Sequence, residues 1–115
     1  MEETKYNAIL LDAFPELRDA FEEYTAWQDG METGCFLTYE DLLLPRIRLA
    51  EESGDASFLD RVGDFIECLL CMGDEYAENL AIVGLLEGLW TKEGNEPIRR
   101  HLGERALAEF ELFGE

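Results

Sequence analysis

Apolar residues recur along this chain at three- and four-residue intervals, and no segment alternates with the period of two that a half-buried strand needs. The pattern predicts an all-α fold. Residues 3–13 form a first short helix around Tyr6, Ile9, Leu10 and Ala13. Phe14-Pro15 interrupts it, because a proline ring cannot donate inside a helix but suits a first turn. A second helix runs from Pro15 to Gln28, with Leu17, Phe21 and Tyr24 on one face and Glu16, Asp19, Glu22 and Glu23 on the other. Asp29-Gly30 ends it, and residues 30–37 read as a loop.

Thr38 followed by Asp41 predicts an N-cap with an acidic first turn. The helix it opens meets Pro45, where it kinks or restarts before ending at Ser53. Gly54-Asp55 separates it from a strong helix at residues 56–72, striped by Phe58, Val62, Phe65, Leu69 and Met72. Gly73 is a stop and Asp74 an N-cap for a helix at 75–90. From Leu80 to Trp90 only Glu87 is charged, so this helix lacks a polar face and is expected at the buried centre. Its Gly84 and Gly88 would let a neighbouring helix approach closely. Thr91 to Asn95 make a turn, Pro97 starts a short helix that Gly103 ends, and Ala106 to Phe113 close the chain. The expectation is one domain, residues 1–115, folded as a compact bundle of about six helices. Helix pairs near 38–72 and 75–113 leave stacked antiparallel hairpins as the alternative, although a solenoid normally wants three repeats.

Composition sharpens this picture. With 47% hydrophobic and 11% aromatic residues in 115, there is material for a real core. Against 27 acidic residues stand only 9 basic ones, a net charge of −18. A phosphate backbone or an anionic membrane would be repelled, which excludes generic nucleic-acid binding and docking on acidic lipid. The apolar run from Leu80 to Leu86 is too short to span a bilayer. Met1-Glu2-Glu3-Thr4-Lys5 lacks the basic-then-apolar order of a secretory signal, so a cytoplasmic location is expected.

Candidate chemistry is sparse. Cys68 and Cys71 form C-x-x-C inside an apolar helix rather than at a helix start after a strand, the redox context. Cys35, Cys68, Cys71 and His101 make a zinc set on paper, but without a second close pair they read as buried, reduced thiols and a helix-borne imidazole. Asp60, Asp64 and Glu67 share a helix face and would be the ligands of a metal-dependent hydrolase, a reading that ranks below a solvated face. No phosphate-cradling or nucleophile motif is present, so neither enzymatic activity nor a cofactor is expected.

The charge is more informative. Between Asp12 and Glu32 seven acids stand against Arg18 alone. Repulsion at this density costs stability, which favours a use for it: steering a basic protein partner. The plainer alternatives are solubility and adaptation to salt. The candidate partner-binding residues are Glu16, Asp19, Glu22, Glu23, Trp27, Asp29 and Glu32, with Trp27 as an aromatic anchor off the core stripe. The chain is expected to be a monomer, or a weak homodimer through Leu85, Leu89 and Trp90.

Five segments occur in order: Leu10-Leu11-Asp12-Ala13-Phe14-Pro15-Glu16-Leu17, Leu43-Leu44-Pro45, Phe58 through Glu67, Gly73-Asp74-Glu75-Tyr76, and Ile82 through Leu89. Over residues 8–112 this order resembles a family of small, acidic, helical bacterial proteins of unknown function. Such proteins are similar to candidate immunity proteins of polymorphic toxin systems. The resemblance implies no catalytic residues. It implies an inhibitor that occludes a basic toxin, such as a nuclease; the acidic charge by itself leaves as the alternative a phage-type mimic of nucleic acid that blocks a host restriction or defence enzyme.

Overall fold

A computed structural model describes residues 2–27 and 30–114. The chain leaves its first helix, α1 (Glu2–Ala13), because Pro15 disfavours helical geometry in the residue before it, and Phe14 sits at φ −131°, ψ 72°. Pro15 opens a 3₁₀ turn, Pro15–Leu17, that runs into α2 (Arg18–Thr25). Phe14 is fully buried, its ring 5.4 Å from Phe58 and edge-on to Phe65 at 5.2 Å. The helix break therefore also fastens the N-terminal pair to the core. The expected end of α2 at Gln28 and Asp29 lies outside the described residues.

The next helix begins earlier than the sequence predicts. Gly34 is its N-cap, and it runs from Cys35 through a π turn at Tyr39–Leu43 to Ser53, forming α3 (residues 35–53). Thr38 is not a cap but a buried interior residue. Its hydroxyl donates to Asn7 Oδ1 at 2.6 Å and to the Cys35 carbonyl at 3.1 Å. The Asn7 amide donates in turn to the Met31 and Thr33 carbonyls at 2.9 and 2.8 Å, closing a polar knot inside the bundle. Nor does Pro45 restart the helix. The turn before it widens so that the Leu44 amide reaches Tyr39 O, five residues back.

Gly54, at φ 72°, stops α3, and Asp55 caps α4 (Ala56–Leu70) by accepting from the Phe58 amide at 3.1 Å. Gly73, at φ 73°, and Asp74, which accepts from the Tyr76 amide at 3.0 Å, lead into α5 (residues 75–89). This helix also contains a π turn, Ile82–Leu86. Contrary to expectation it is not buried all round: Val83 is 47% exposed, and with exposed Asn79 and Glu87 it forms a solvent stripe at four-residue spacing. Leu85 and Leu89 are fully buried, while Trp90 is half-buried and packs on Phe113.

Pro97–His101 is a 3₁₀ turn, and α6 (Glu104–Leu112) ends the fold. The scaffold is α4, which packs against α3, α5, the 3₁₀ turn and α6. Contact with the turn is so close that a Cβ on Gly63 would lie 1.8 Å from the His101 carbonyl oxygen. Glu67 accepts from the Arg105 and Ala106 amides at 3.2 and 2.9 Å, so a carboxylate of α4 caps the first turn of α6. Among the described residues there are six helices and no strand. The accessible surface is 6341 Å², close to the roughly 6,400 Å² of a compact folded monomer of this size. The Cα radius of gyration is 13.6 Å, near the roughly 13 Å of a globular bundle rather than an extended stack.

Candidate partner-binding face

The acidic candidates divide once their side chains are placed. Glu16, on the turn before α2, is already engaged: Arg61 donates to both of its carboxylate oxygens at 2.7 and 2.8 Å and to the Ala13 carbonyl at 2.8 Å. The hydrogen-bonded Arg61 guanidinium holds the Glu16 carboxyl below its ordinary value. Arg61 also lies over the rings of Phe14 and Phe58, at 5.1 and 5.6 Å from their centroids. Glu16 therefore serves the fold.

Asp19, Glu22 and Glu23 are exposed on α2 and make no ion pair among the described residues. Helical spacing puts Glu22 and Glu23 one turn after Asp19, and Trp27 lies in the turn that follows α2. Trp27 is 95% exposed. The opposite side of α2 is anchored by buried Phe21 and Thr25, and Tyr24 donates its hydroxyl to Asp41 of α3. Glu32 is exposed on the 3₁₀ turn Gly30–Glu32, which packs against α2. Asp29 lies outside the described residues.

The candidate metal ligands are not brought together. Cys35 is buried, with its Sγ 3.3 Å from the Tyr76 hydroxyl. Cys68 and Cys71 are exposed, which corrects their reading as buried thiols: the apolar stripe of α4 leaves Arg61, Asp64 and Cys68 on the outer face at three- and four-residue spacing. His101 Nδ1 is 2.6 Å from Asp60 Oδ1. Asp60, Asp64 and Glu67 likewise diverge, to His101, to solvent and to the cap of α6. Among the described residues no group of three such side chains is placed to hold a metal ion. No described helix is long and apolar enough to cross a membrane.

Of the hollows on the surface, two bear on the candidates. The larger, about 720 Å³, lies between Trp90 and Phe113, and its Arg99 is committed to Glu96 and Glu111. The second, about 470 Å³, lies between α1 and α4. Sequence reasoning missed it.

The family described as Domain of unknown function (DUF7674) matches residues 7–112. The chain belongs to this family. The match covers nearly the whole bundle, so the DUF7674 domain runs from the polar knot at Asn7 to the end of α6. No curated protein and no solved structure gives a match.

Proposed function

We propose that this DUF7674 protein is an immunity or inhibitor protein that neutralises a basic bacterial toxin, a nuclease in the favoured form, by laying α2 across the toxin's cationic cleft. The observation that carries the reading is the pairing of uncompensated Asp19, Glu22 and Glu23 with the 95% exposed Trp27. Carboxylates at such a surface raise the rate of encounter with a basic partner and select its register. A flat, exposed indole supplies the apolar anchor that holds the encounter. The reading requires binding and no chemistry, with Glu16 left to brace the base of α2 and Glu32 at its flank.

The test is retrieval of the partner from native lysate at low salt, followed by stopped-flow association with the purified partner. The association rate should fall steeply with salt, since exposed charges are screened within about 8 Å at physiological ionic strength. Replacing Glu22 and Glu23 by Lys should slow association by about tenfold or more, and Trp27→Ala should speed dissociation. An unchanged rate in the charge-reversed protein overturns the placement on α2. Elution of many unrelated DNA-binding proteins would match a nucleic-acid mimic instead.

A further inference from the structure

The hollow between α1 and α4 is a trough with a definite polarity. Ile9 and Ala13, one turn apart on α1, face Phe65 of α4 and form an apolar floor. Asp12 and Asp64, both exposed, stand among its lining residues, and the exposed thiol of Cys68 lies one turn beyond Asp64. Arg61 also contributes, but its charge is spent on Glu16 through two hydrogen bonds. The trough is therefore apolar below and anionic at its rim. Its lining on α4 spans residues 61–68, about 10 Å or two helical turns. Its volume of about 470 Å³ is within the roughly 300–1,000 Å³ of clefts that hold a bound group.

We infer that this trough is a docking groove for a cationic amphipathic helix of the partner protein, its apolar side chains on Ile9, Ala13 and Phe65 and its Lys or Arg residues on Asp12 and Asp64. The inference rests on the reading above that the partner is basic. Charge complementarity selects the occupant. A second copy of this chain would bring its own net charge of −18 to an anionic rim, and an acidic lipid surface is repelled in the same way. Two helices flanking an apolar trough also match the geometry in which a third helix is received, by anchors at three- and four-residue spacing. The two surfaces differ in kind: α2 offers charge and one indole, the trough offers a receptacle.

The test uses the full chain, isotope-labelled for NMR, and a synthetic helical peptide of leucine and lysine with one apolar and one cationic face. Saturable shifts are expected at the amides of Ile9, Ala13, Phe65 and Cys68, together with slower alkylation of the Cys68 thiol. Asp12→Lys combined with Asp64→Lys, both exposed positions, should weaken binding by about tenfold or more, while Glu22→Lys should leave these shifts in place. Ile9→Glu provides a second variant that blocks the floor. Shifts confined to residues 19–27 overturn the groove and leave the reading of α2 standing. Equal binding of the leucine–glutamate counterpart overturns the cationic occupant. Absence of any saturable shift overturns the groove, and α2 is then judged by its own association kinetics.

Discussion

Gly63→Ala adds one methyl group where α4 meets the Pro97–His101 turn. The new Cβ would lie 1.8 Å from the His101 carbonyl oxygen and 2.8 Å from its carbon, against an ordinary contact distance of at least 3.4 Å. The obstacle is backbone, so no rotamer change relieves it and the turn must move. That movement disturbs fully buried Ile98, the bond from its amide to Glu51 at 3.1 Å, and the Asp60–His101 contact. Overpacking of this kind costs about 1–3 kcal/mol, and unseating Ile98 adds to it. Alanine's better helix propensity returns about 1 kcal/mol. The net expectation is a loss of about 2–3 kcal/mol, or a fall in Tm of about 10 °C for a chain of this size. Thermal and urea melts followed by circular dichroism measure it. Gly88→Ala is the control, because its nearest neighbour is the mobile tip of the Leu44 side chain at 2.8 Å, and it should be close to neutral. If Gly63→Ala is as stable as the parent, the turn does not sit on α4 as described.

Asn7→Ala removes the centre of the knot that joins α1, α3 and the loop at Met31–Thr33, leaving buried partners unsatisfied; a urea midpoint should report a loss of about 3 kcal/mol. Thiol titration of the native protein should consume Cys68 and Cys71 rapidly and Cys35 only after denaturant is added. Stability should also fall in acid. Glu16, through Arg61, and Asp74, through the Tyr6 hydroxyl and the Tyr76 amide, have carboxyls held below their ordinary values. Burial alone would raise the Glu96 carboxyl, but hydrogen bonds from Thr91 and Arg99 outweigh it and lower the value. A folded value below the unfolded one means the stabilisation is complete above the ordinary carboxylate range and is lost as pH falls through the folded values. Melts should therefore weaken below about pH 4, and Glu96→Gln should flatten that dependence.

The helices that could be read from sequence are those with local punctuation. Gly54-Asp55 and Gly73-Asp74 carry stop and cap side by side, and the structure uses them in those roles. Thr38 misleads because a threonine ahead of acids has the same local signature whether its hydroxyl caps an amide or reaches Asn7 across the bundle. The exposure of Cys68 was available from its spacing to Arg61 and Asp64, and was obscured by treating cysteine as apolar. Trp27 lies off the Leu17–Phe21–Tyr24 stripe, a position that fits exposure or a cap on the core equally, and the structure exposes it. Neither the capture of Glu16 by Arg61 nor the α1–α4 trough was legible, since both depend on how helices distant in sequence are set side by side.

The π turns of α3 and α5, Tyr39–Leu43 and Ile82–Leu86, lie against one another. Each absorbs one surplus residue within a single widened turn, where in regular α-helix that residue would rotate everything downstream by about 100°. Each helix so keeps its own core face, with Ile47 and Leu89 fully buried beyond the turns. Deleting one residue from either turn should therefore restore regular helix and leave Ile47 or Leu89 in the core, whereas tightening a turn with its surplus residue still in place would swing that side chain out.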